Sequence, residues 1–113
     1  MIKTYGLALA LLLFATCSIA DVKPLPKSSW PNTVAEVVPH ILGSLTITQR
    51  SIIGGTSKDN LFLFLGDWGE DIQVLLGLNS GNMALAQISC GHPCKAEQAT
   101  LKLMEAAWDA LQR

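Results

Sequence analysis

Cys90 and Cys94 have the most defined chemistry in this chain, because two thiols separated by three residues can pair, bind a metal or exchange electrons. A redox pair of the thioredoxin kind has two residues between its thiols in a βαβ setting, whereas Gly91, His92 and Pro93 supply three without one. A zinc site from Cys90, His92 and Cys94 lacks a fourth ligand, and ligands at alternate positions crowd a tetrahedral ion. Lys95, not His, follows Cys94, so the pattern for c-type haem attachment is missing. The expectation is a structural disulfide, with no metal and no cofactor.

Asp67, Glu70 and Asp71 form the single acidic cluster, and Asp67 and Glu70 share a face if the segment is helical. Paired carboxylates can act as acid and base or hold a divalent ion. No further ligand accompanies them, so their expected role is to solvate an otherwise apolar segment. With Trp68 they also make an aromatic flanked by carboxylates, a patch suited to a basic partner surface. Gly91, His92 and Pro93, held in a fixed shape by the staple, make a second candidate patch. His40 lies at the edge of an apolar stripe. Ser28, Ser29, Ser44, Ser57 and Ser80 have no nucleophile-elbow context. Trp30, Trp68 and Trp108 carry enough apolar area to be read first as core anchors.

These groups must be positioned by one small domain. The chain has 113 residues, 50% hydrophobic and 15% charged, with 8 Lys plus Arg against 9 Asp plus Glu. That balance leaves no basic stripe for phosphates, so nucleic acid is excluded as an expected partner.

Residues 1–20 read as a signal peptide: Met1-Ile2-Lys3 is a positive start, Leu7 to Ala15 an apolar run, and Ser18-Ile19-Ala20 a small-residue cleavage site. The apolar run is shorter than the roughly 18 to 20 residues a bilayer span needs. Lipidation at Cys17 is a minor alternative, since Phe14-Ala15-Thr16 fits a lipoprotein signal poorly. The expected product is exported, periplasmic or secreted, without a membrane span, and begins at Asp21. Intact-mass measurement of exported material should show residues 1–20 missing; a chain in the membrane fraction still starting at Met1 would contradict this. About 93 residues would remain, few enough that a covalent staple helps.

In the mature chain, residues 21–29 read as an extended leader with two prolines, and 30–113 as one globular domain. Thr33 to Glu36 forms a capping box ahead of Val34, Val37, Val38, Ile41, Leu42 and Leu45, a helical stripe that Pro39 should kink. Thr46 to Gln49 opens a second, short helix, which Gly54-Gly55 should end in a left-handed turn.

Two readings compete beyond it. Leu61 to Leu65, Ile72 to Leu78 and Met83 to Ser89 can form a three-stranded antiparallel meander, giving an α+β fold. Alternatively Leu61, Leu65, Trp68, Ile72 and Leu75 follow helical spacing, at the cost of Gly66 and Gly69 inside the helix. Ser80 can then cap a short helix to Ser89. The final helix, Lys95 to Gln112, places Leu101, Met104, Trp108 and Leu111 on one face with Ala107 beside them.

The motifs Trp30-Pro31-Asn32-Thr33, Gly69 with Ile72, Gly77-Leu78-Asn79-Ser80-Gly81-Asn82, Cys90-Gly91-His92-Pro93, and Trp108 before Leu111 resemble an uncharacterised family of small bacterial domains. The resemblance spans Trp30 to Leu111 and implies an all-helical fold. Where that family often has an Arg-Asn pair this chain has Gln73-Val74, and no activity transfers with the likeness.

The expected architecture is an all-α bundle of four to five helices with one disulfide. The expected function is binding of another protein, as an inhibitor or immunity-type module, and not catalysis. A structural or envelope-associated role is the alternative, with a small redox or hydrolytic enzyme behind both.

Overall fold

The computed structural model describes residues 22–113. The signal segment, its cleavage after Ala20 and Cys17 lie outside the described residues, as does Asp21. Five α-helices make up the domain: α1 (Val34–Gly43), α2 (Ile47–Gly54), α3 (Glu70–Leu76), α4 (Met83–Cys90) and α5 (Ala96–Leu111). A 3-10 turn at Lys27–Ser29 precedes them. A 3-10 stretch (Lys58–Phe64) followed by a π-helical turn (Leu65–Gly69) leads directly into α3. No strand occurs among the described residues, so the meander is overturned.

Local chemistry explains most boundaries. The Thr33 hydroxyl accepts the Glu36 N–H at 3.2 Å and starts α1, but it donates to the Glu36 carboxylate, which therefore does not reach back to the backbone. Pro39 is accommodated inside a continuous α1. It lies on the exposed side with Ala35, whose carbonyl loses its helical partner there. At Thr46 the capping box is complete, with Thr46 N–H donating to Gln49 Oε1 at 2.8 Å and Gln49 N–H to Thr46 Oγ1 at 3.1 Å. Its helix ends without a left-handed residue, since Gly55 keeps φ at −86°.

Asn82, not Ser80, starts α4. Its side-chain oxygen accepts from Leu85 N–H at 3.3 Å while its amide donates to the Leu76 carbonyl at 2.7 Å. One buried side chain thus satisfies the end of α3 and the beginning of α4.

The core sits between α5 and the elements around it. Val37 and Ile41 of α1, Leu61, Trp68, Ile72, Leu76 and Leu85 meet Ala99, Leu103, Met104 and Ala107 of α5. The buried stripe of α5 is rotated from the expected one. Leu101, Trp108 and Leu111 flank it half-buried, and the small side chains of Ala99, Thr100 and Ala107 let neighbouring elements approach closely. Thr100 is fully buried and returns its hydroxyl proton to the Ala96 carbonyl at 2.6 Å.

The leader is part of the fold. Leu25 N–H donates to the Leu75 carbonyl at 2.9 Å, and the Trp30 ring lies on Gly77 so closely that a Cβ there would be 2.4 Å from it. Gly77 has φ +68° and ends α3, with its own N–H and that of Leu78 both returning to the Gln73 carbonyl. Residues 22–29 are therefore a docked strap, with a 3-10 turn in place of a fully extended leader.

Candidate functional site

The Cys90 and Cys94 sulfurs are bonded to each other. The bond joins the last residue of α4 to the segment that opens α5. Gly91 takes φ +78° and donates its N–H to the Gln87 carbonyl at 2.8 Å, which ends α4 and turns the chain. Gly91, His92 and Pro93 are all exposed, and His92 Nδ1 lies 2.9 Å from the Pro93 carbonyl. Reduction should cost about 2 kcal/mol, the loop entropy of so short a ring. Urea unfolding with and without reductant measures it, and alkylation without reductant should add no mass.

Asp67 and Glu70 are exposed and Asp71 is half-buried, so the three carboxylates do reach the surface together at the π-turn and the first turn of α3. Trp68 does not join them. It is 5% exposed, sits in the core, and its indole N–H has no acceptor. The aromatic flanked by carboxylates is therefore corrected to a patch of carboxylates alone, because the irregular turn directs the largest apolar side chain inward against α5. Gly69 helps, since its missing Cβ leaves room for Leu65 and Thr100.

Burial, and then the nearby charges of Asp67 and Glu70, push the Asp71 carboxyl above the ordinary carboxylate range. The folded state then binds this proton more tightly than the unfolded chain, so stability falls as pH rises through the interval between the unfolded and folded values. Asp71→Asn should accordingly give a small rise in Tm at neutral pH that disappears under acid conditions. Thermal unfolding of both proteins across pH tests the sign.

The side chains that sequence reasoning missed are apolar. Ile47, Phe62, Leu63, Val74, Met83 and Ile88 are exposed. Phe62 and Leu63 read as strand or helix interior in the run Leu61 to Leu65, where nothing in residue type separates the inward Leu61 from the outward Leu63. Gln73 is buried and accepts from the Asn79 amide.

Among the described residues no group of three or more His, Cys, Asp or Glu side chains is placed to hold a metal ion. No described helix is long and apolar enough to cross a membrane. Comparison with protein-family models, with curated proteins and with solved structures finds no match for the chain.

Proposed function

We propose that the protein is an exported protein-binding module of the inhibitor or immunity type. The observation that carries this reading is the set of apolar side chains left outside a closed core, above all Ile47 at 85% exposure, Met83 at 79% and Leu63 at 66%. Where such groups lie together on so small a domain, they suit a surface that another protein covers. The disulfide supports the exported half of the reading, since such bonds persist in oxidising compartments. It also fixes Gly91, His92 and Pro93 before any encounter, so little ordering entropy is lost if that loop is used.

The test is retention of partners by the purified protein, followed by the same measurement on two variants of confirmed fold. One replaces Asp67, Glu70 and Asp71 together by Asn or Gln, and the other is His92→Ala. Loss of a specific partner in either variant assigns the surface. Failure of the unaltered protein to retain any partner, or turnover of a small substrate, defeats the binding reading.

A further inference from the structure

The segment from Lys58 to Leu76 passes through 3-10, π and α geometry without interruption, yet keeps two distinct sides. Leu61, Trp68, Ile72 and Leu76 are buried against the core. Phe62, Leu63, Asp67, Glu70 and Val74 are exposed, the three apolar ones at 52%, 66% and 46%. In chain order the exposed side chains run Leu63, Asp67, Glu70 and Val74, so apolar groups stand at the two ends with carboxylates between them.

Charge distribution selects what can cover it. Between Lys58 and Lys95 the sequence contains Asp59, Asp67, Glu70 and Asp71 and neither Lys nor Arg. Among the described residues the ion pairs are Lys58 with Asp109 and Lys102 with Glu105, which leaves all four of those acids without a cation.

We propose that this outer face is the docking surface for a basic segment of a partner protein, with Lys or Arg opposite Asp67 and Glu70 and apolar side chains against Leu63 and Val74. The inference rests on the binding-module reading and supplies its partner chemistry. Phosphate backbones and anionic lipid surfaces are repelled by the same charge. A second copy of this chain offers few free cations on its helices, since Arg50 stands alone on α2 and Lys102 of α5 is paired with Glu105; Lys23 and Lys27 of the strap are the exception. Complementary charge between apolar anchors would speed association and fix the register of the partner.

The probe is a synthetic amphipathic helix carrying Lys and Leu, titrated into the isotope-labelled protein, with the same peptide carrying Glu in place of Lys as control. Expected are amide shifts concentrated between Lys58 and Leu76, binding that weakens as salt is raised, and affinity roughly tenfold lower in the double variant Leu63→Ser, Val74→Ser and in the triple variant Asp67→Asn, Glu70→Gln, Asp71→Asn. Equal binding of both peptides, shifts centred elsewhere, or unchanged affinity in the variants overturns the proposal. So does concentration-dependent dimerisation of the protein alone that the double variant abolishes, which would assign the face to a second copy. If a retained natural partner is lost by His92→Ala but kept by the triple variant, this inference fails while the binding-module reading stands.

Discussion

Gly77→Ala is expected to destabilise the domain by about 2 to 5 kcal/mol, combining left-handed backbone strain with overpacking against a rigid neighbour. The backbone there has φ +68°, and the added methyl would meet the Trp30 ring at 2.4 Å. Neither can relax cheaply. The strap holding Trp30 is anchored through Leu25 to the Leu75 carbonyl, and the turn after Gly77 is fixed by the bonds that Ser80 and Asn82 make to the Gly77 carbonyl. Gly81→Ala is the control, since Gly81 also has positive φ but opens onto free space. It should cost only the backbone strain, about 1 to 2 kcal/mol. Combined with Trp30→Ala, the Gly77 substitution should cost less than the sum of the two single changes, because the clash is gone. Equal destabilisation by the two glycine variants in urea unfolding would mean that the indole does not press on Gly77.

Trp108→Ala should cost about 3 to 4 kcal/mol, from lost ring packing together with an orphaned acceptor. The Trp108 Nε1–H donates to the Thr56 carbonyl at 2.8 Å, and Lys58 Nζ sits 5.8 Å from the ring centroid on its way to Asp109. The half-buried indole thus ties the end of α5 to the connection after α2. Trp108→Phe separates the two contributions: it keeps most of the apolar contact and should lose about 1 kcal/mol for the hydrogen bond alone. A Phe variant as unstable as the Ala variant would show that the carbonyl contact dominates.

Those residues also mark what the sequence disclosed and what it hid. Both threonine caps, at Thr33 and Thr46, could be read directly because a side-chain oxygen followed three residues later by Glu or Gln is a local signal with a local cause. The final helix was equally plain, but not the direction of its buried stripe. Thr100, Leu103 and Ala107 are fully buried while Trp108 flanks them half-buried, so the small side chains and not the largest one take the innermost positions of α5. Leu61 to Gly69 was ambiguous for a related reason. Its apolar residues satisfy both periods, Gly66 and Gly69 weaken the regular helix, and the observed answer is a 3-10 stretch and a π-turn that neither period describes.

The candidate site divides in the same way. Charge kept Asp67 and Glu70 at the surface whatever the backbone did, so the sequence located them. Trp68 went inward with Leu61 and Ile72, as the helical spacing already placed it, and Leu63, two residues from Leu61, faces outward; the expected patch erred in putting Trp68 among the carboxylates. Asn82 displaced Ser80 as the cap for a comparable reason. The Leu76 carbonyl needs a donor as well, and an amide side chain supplies donor and acceptor together.

The placement of α5 governs the order in which the molecule can be completed. Its 16 residues follow the other described helices along the chain, yet Leu103, Met104 and Ala107 are the surfaces on which α1, the irregular middle segment and α4 close. The contacts from Gly54, Thr56 and Lys58 to Gln112, Trp108 and Asp109 each span more than fifty residues. The apolar faces of the earlier elements therefore stay open until α5 docks, and the core closes late. Docking of α5 is then the step that commits these elements to the folded state.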